Sequence, residues 1–208
     1  IYIYIQGIWE KNYSHFLYTE DDLLITLENI DYWIKGMKML ESTSYIPGFV
    51  RYEINNKGEF VCTDKTYTAQ VRRLAKVSIG NNKMINLPQP YQGMYLLNKK
   101  LAKDFLYSEA GSPDTGIWNI REKAAQGLTF WETPNGATSR YLVGFNGDYK
   151  IDKGALIHHL PNNYALNDDE HYGSLKVSEI ARYEPLHIWL LWIFYKILKR
   201  IINKFRVF

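Results

Sequence analysis

Cysteine is almost absent. A single residue, Cys62, in 208 excludes an internal disulfide and any thiolate metal cluster, and it fits a reducing compartment. The chain also lacks a Gly-rich phosphate loop, Cys/His zinc spacing and a Gly-x-Ser-x-Gly elbow, so P-loop, zinc-site and α/β-hydrolase chemistries have no motif to rest on. No internal repeat or low-complexity stretch interrupts it, and 46% hydrophobic content is enough for one sizeable core. The apolar opening, Ile1 to Ile5, has neither the basic segment nor the small-residue cleavage site of a secretory leader. An opening on Ile-Tyr-Ile-Tyr-Ile without an initiator Met reads as a fragment.

Charge is unevenly spread. From Pro185 onward there are five basic residues (Lys196, Lys199, Arg200, Lys204 and Arg206) and no acidic ones; removing them from the net charge of +3 leaves the remainder at −2. The run Leu186 to Leu198 is almost wholly apolar and carries Trp189, Trp192, Phe194 and Tyr195. It meets charge before the roughly 20 apolar residues that a membrane span requires. Residues 185–208 therefore read as a basic amphipathic helix lying in the plane of an anionic membrane surface, on the cytoplasmic, inner face, against the plainer reading of a C-terminal helix packed on the body. Nucleic acid is not an expected partner, because the basic residues sit in an apolar tail and do not track a groove with spaced aromatics.

Within residues 1–180 the patterns alternate between strand and helix. His15 to Thr19 is strand-like. Thr26 can cap a helix with Ile30, Trp33, Ile34, Met37 and Leu40 at helical spacing, ending near Ser42. Phe49 to Ile54 alternates as a strand, with Asn55 to Gly58 turning into Glu59 to Cys62. A second hairpin is expected from Val71 to Ile79 and Lys83 to Leu87, turning at Gly80-Asn81-Asn82. Asn98 can cap a helix to about Ser108, Ile117 to Gln126 is helical with Gly127 closing it, and short strands follow at Arg140 to Phe145 and Gly154 to His158. This alternation predicts an α/β domain.

The acidic triplet Glu20-Asp21-Asp22 falls where the first predicted strand stops and a helix is about to begin. Three crowded carboxylates repel one another unless a cation or its equivalent neutralises them, and a hard divalent ion takes oxygen ligands. In open α/β sheets the C-terminal edge of the strands is also where ligands bind. An acidic cluster by itself is more often solvated surface; its placement is what singles this one out.

The string Tyr18-Thr19-Glu20-Asp21-Asp22, followed by a helix containing Glu28-Asn29 and Tyr32-Trp33, resembles the acidic metal motif of glycosyltransferases with the GT-A fold. Four further segments resemble the same lineage: Ile46 to Glu53, Pro90 to Tyr95, Arg121 to Phe130, and His158-His159-Leu160-Pro161-Asn162-Asn163-Tyr164. The resemblance implies a GT-A-like, Rossmann-related mixed sheet flanked by helices. It also implies Mn²⁺ or Mg²⁺ held against the diphosphate of a nucleotide-sugar donor, with Asp22 as direct ligand and Glu20 as a helper through ribose or water. Asp21 is grouped with the substrate, or points away. His158 or His159 supplies a further ligand; strand alternation sends the two rings to opposite faces, so at most one reaches the metal. Glu122 would be the base that deprotonates an acceptor hydroxyl, Arg121 would hold phosphate, and Gly93 would admit donor or acceptor close to the backbone. Each has a plainer reading: a solvated helical Glu or Arg, a strand bulge.

In such enzymes several βαβ units normally precede the acidic motif, whereas 19 residues precede Glu20 here, so an N-terminally truncated catalytic domain is expected. The expected activity is metal-dependent transfer of a sugar to a glycan or lipid-linked acceptor. The rival is a noncatalytic, membrane-attached binding or assembly protein derived from such a domain.

Overall fold

The computed structural model describes residues 12–64, 76–87, 90–112, 127–166 and 175–181, together with Phe194. The predicted helix Ile117 to Gln126, with Arg121 and Glu122, lies outside these residues, as do the start of the Val71 to Ile79 strand and the basic segment 185–208 apart from Phe194. The described chain is mixed α/β. Its strands are β1 (His15–Thr19), β2 (Leu23–Leu24), β3 (Ile46–Pro47), β4 (Val50–Ile54), β5 (Phe60–Cys62), β6 (Lys76–Ile79), β7 (Asn82–Asn86), β8 (Met94–Asn98), β9 (Tyr141–Phe145) and β10 (Leu156–His159). Its helices are α1 (Leu27–Met39), α2 (Lys99–Tyr107) and the short α3 (Val177–Ile180). Among the described residues no helix is long and apolar enough to cross a membrane.

The strands do not form one continuous sheet. They divide into an antiparallel pair β1-β8, a four-stranded sheet ordered β2-β10-β4-β5 and another ordered β3-β9-β7-β6. The segment from Ile46 to Ile54 joins the two larger sheets: β3 runs parallel to β9, and β4 runs parallel to β10. Between them the Phe49 N–H donates to the buried Gln92 side chain at 2.7 Å, which replaces the ladder bond lost where the chain changes sheets.

Both long helices begin where side-chain chemistry dictates. Thr26 and Asn29 form a reciprocal capping box at the start of α1, and the Asn98 side chain accepts the Leu101 N–H at 2.9 Å to start α2. Helix α2 buries Leu101, Ala102, Phe105 and Leu106 against β8 and β1. Helix α1 buries Trp33 and Leu40 and packs Ile30 and Met37 against the core, so its predicted stripe holds except at Ile34. Its buried line runs through Asn29, Trp33 and Gly36 to Leu40, while Ile34 is 42% exposed. Two further residues join that face: Asn29 turns inward because its amide donates to the carbonyls of Gly154 and Leu156 at 2.8 and 2.9 Å. Gly36 is required because a Cβ there would lie 2.6 Å from the Pro47 side chain. The helix ends at Leu40, short of Ser42, where the Leu40 N–H still reaches Gly36 O.

The two larger core clusters among the described residues follow from this layout. One packs Phe16, Trp33, Leu97, Phe105 and Ile157 among α1, α2, β1 and β8. The other gathers Val50, Cys62, Ile85, Val143 and Ile180 around the four-stranded sheets and α3.

Replacing Asn29 by Leu leaves two buried carbonyls unpaired and removes half of the capping box. At about 1–3 kcal/mol per stranded group, urea unfolding should show a loss of about 2–4 kcal/mol. Thr26→Ala, at an exposed cap, should lose about 1 kcal/mol. Burial raises the Cys62 thiol well above its usual range, so the native protein should take up no Ellman's reagent at pH 8. One equivalent should react in denaturant.

Candidate functional site

The acidic triplet sits on the seam between two sheets. The Glu20 N–H continues the β1-β8 ladder by donating to Gly93 O at 2.9 Å, while Asp22 O accepts from the Leu160 N–H at 2.9 Å and so belongs to the β2-β10 side. Asp21, at the tip of the turn, is exposed. The backbone thus delivers Glu20 and Asp22 to different partners.

Asp22 faces a histidine. The parallel register of β10 on β4 pairs His158 with Tyr52, so the next residue, His159, lies beside Glu53 on the opposite face of the sheet. His159 Nδ1 is 2.5 Å from Glu53 Oε1, and its Nε2 is 3.1 Å from Asp22 Oδ2. Glu53 has no solvent exposure and His159 only 4%. The second Glu53 oxygen accepts the Ala165 N–H at 2.5 Å, and the Tyr164 ring stacks on His159 with centroids 5.4 Å apart. The chain after β10 therefore folds back to close the carboxylate–imidazole–carboxylate array from above.

Glu20 is held by a second set. It accepts a short hydrogen bond from the Tyr91 hydroxyl, and its other oxygen lies 3.7 Å from Arg51. Arg51, two residues before Glu53 and on the same face of β4, pairs with Asp64 at 2.7 Å and rests on the Tyr91 ring, 4.6 Å from its centroid. Burial works against the Arg51 cation, but the charge of Asp64 and its hydrogen bond, with Tyr91 and Glu20, outweigh it and raise the Arg51 pKa further. Burial, and then the charge of Glu20, push the Tyr18 hydroxyl up in the same way.

Of the residues singled out from sequence, the structure brings together Asp22 and His159. His158 turns to the other face, stacked on Tyr52 with centroids 5.0 Å apart and 3.3 Å from the Asn162 side chain. Gly93 has a φ of 61° and its missing Cβ leaves room for the Glu20 carboxylate, whose Oε2 would lie 2.5 Å from that atom. The close approach at Gly93 is thus to Glu20. Arg121 and Glu122 lie outside the described residues. Arg51, Glu53 and Tyr91 fall within segments that carry the resemblance but were given no role by it, and Asp64 was not singled out. The available signal was the alternation of β4, which places Arg51 and Glu53 on one face.

Among the described residues no group of three or more His, Cys, Asp or Glu side chains is gathered so as to hold a metal ion. Two donors of suitable chemistry are nonetheless adjacent. Cis ligands of an octahedral ion at about 2.1 Å stand about 3.0 Å apart, close to the 3.1 Å between Asp22 Oδ2 and His159 Nε2, a spacing that a direct hydrogen bond also has. The observation that favours a cation is Asp22 Oδ1, shielded from solvent and without a hydrogen-bond donor, which is a costly state for a carboxylate oxygen. A separate cleft of about 910 Å³, lined by residues including Tyr32, Lys35, Lys83, Phe145 and Asp152, includes none of these site residues.

Comparison with protein-family models, curated proteins and solved structures returns no match.

Leaving a buried carboxylate without its hydrogen-bond partner costs about 3–5 kcal/mol. His159→Leu should therefore lower stability to urea by that amount, whereas Asp22→Asn, at a side chain 39% exposed, should change it by less than about 1 kcal/mol. Equal losses would mean that Asp22 is part of the buried scaffold.

Proposed function

We propose that this chain carries the metal-binding side of a glycosyltransferase that moves a sugar from a nucleotide-sugar donor to a glycan or lipid-linked acceptor, on a GT-A-like scaffold. The observation that carries the reading is the orphaned Asp22 Oδ1 beside His159. Asp22 and His159 would hold Mn²⁺ or Mg²⁺, with diphosphate oxygens and water completing the coordination. Such an ion supplies charge stabilisation as the nucleoside diphosphate leaves.

The chain's own residues divide the remaining work. Glu53 and the return through Tyr164 and Ala165 keep His159 in place. Arg51 and Tyr91 draw Glu20 to the edge of the site, where it would meet ribose or water. Glu122 is the proposed base toward the acceptor hydroxyl and Arg121 the proposed phosphate contact, both from the resemblance. The basic, aromatic segment 185–208 supports attachment to an anionic membrane surface on its cytoplasmic face.

One observation favours the rival reading of a noncatalytic binding or assembly protein: Glu20, Asp22 and Glu53 all have partners within the protein, so their charges are partly met without a metal. Calorimetry with UDP, GDP and CDP in the presence and absence of Mn²⁺ separates the two. For the transferase, at least one nucleotide should bind in an Mn²⁺-dependent manner, and Asp22→Asn should weaken it at least about tenfold, or about 1.4 kcal/mol. Nucleotide affinity indifferent to Mn²⁺, or absent, would favour the binding protein.

A further inference from the structure

We propose that Glu53 is the positioning residue of this site: it holds the proton on His159 Nδ1 and thereby turns the Nε2 lone pair toward a cation shared with Asp22. The inference rests on the metal reading for the cation but not for the orientation of the ring. Glu53 is a full strand away from the acidic turn and fully buried, so it has no route to a substrate or an ion. Its role must pass through what it touches.

The two Glu53 oxygens face two different neighbours, and both set the same polarity. The Ala165 backbone N–H can only donate, so Oε2 accepts. An ionised carboxylate accepts at Oε1 as well, and the 2.5 Å contact then places the proton on His159 Nδ1. That leaves Nε2 aimed at Asp22 Oδ2, 3.1 Å away. Two lone pairs at that distance repel unless a proton or a metal cation lies between them, and the shielded Asp22 Oδ1 beside them has no donor of its own. The ring cannot turn over to escape, since Tyr164 stacks on it and Glu53 grips its other nitrogen. A carboxylate behind a ligating imidazole is the general means of fixing its tautomer and increasing its basicity.

Glutamine is the informative substitution. Its carboxamide has one accepting and one donating end, so it can satisfy either the Ala165 N–H or an Nδ1–H, not both. With histidine labelled at the ring nitrogens, proton–nitrogen correlation spectra of the metal-free wild type should show His159 protonated at Nδ1, assigned by its loss in His159→Gln. Glu53→Gln should give a mixture of tautomers, and its affinity for Mn²⁺ alone, read by electron paramagnetic resonance, should fall 10–100-fold. A wild-type ring protonated only at Nε2 overturns the inference without recourse to any variant. So does an Mn²⁺ affinity unchanged in Glu53→Gln. If Nδ1 carries the proton but the wild type takes up no Mn²⁺, the orientation by Glu53 is supported and the metal reading fails.

Discussion

Glu53 is a carboxylate out of reach of water, and no protein can leave such a group without donors. Meeting that demand ties together segments that are far apart in sequence. The parallel pairing of β10 with β4 brings His159 alongside, and the turn after β10 returns the Ala165 N–H to the second oxygen. Loss of either would expose the chain to the full cost of an unpaired buried charge. The geometry of the candidate site is therefore a by-product of how that one residue is satisfied.

The acidic triplet obeys the same logic from the opposite direction. Three adjacent carboxylates repel, and the chain relieves the repulsion by splitting them across a seam. Glu20 leaves with the β1-β8 pair toward Tyr91 and Arg51, Asp21 points to solvent, and Asp22 goes with β2 toward His159. A crowded acidic turn does not by itself require an ion, because Arg51 and Tyr91 supply much of what Glu20 needs. What remains unmet is local to Asp22, where one oxygen faces neither water nor a donor. The unmet demand for a cation is confined to one carboxylate oxygen beside an imidazole.

The features legible in the sequence are those decided by near neighbours. Thr26 and Asn98 start helices because each side chain reaches an N–H three residues on, and β1 runs from His15 to Thr19 as its pattern predicts. The turn at Gly80 and Asn81 needs only a glycine able to adopt φ of 55°. The partition of the strands into three sheets depends on Gln92 meeting Phe49 and on β3 and β4 choosing different partners, and no local pattern encodes that. The buried face of α1 is wider than its apolar stripe for a related reason: a polar residue, Asn29, is on the inner face because its partners lie 125 and 127 positions away. The choice between His158 and His159 likewise required the register on β4, since alternation alone says that the rings diverge and not which one faces Asp22.

Helix α1 links these observations. It begins five residues beyond Asp22, and its Asn29 side chain grips the carbonyls of Gly154 and Leu156, where the chain enters β10. The helix that leaves the acidic turn therefore braces the strand that carries His159. At the other end of β10, the Leu160 N–H bonds to Asp22 O. The two donors of the candidate site are held at both ends by backbone and amide contacts that involve neither carboxylate nor imidazole. Their 3.1 Å separation is thus set by the scaffold, and the mutual attraction of Asp22 and His159 is a consequence of their placement and not its cause.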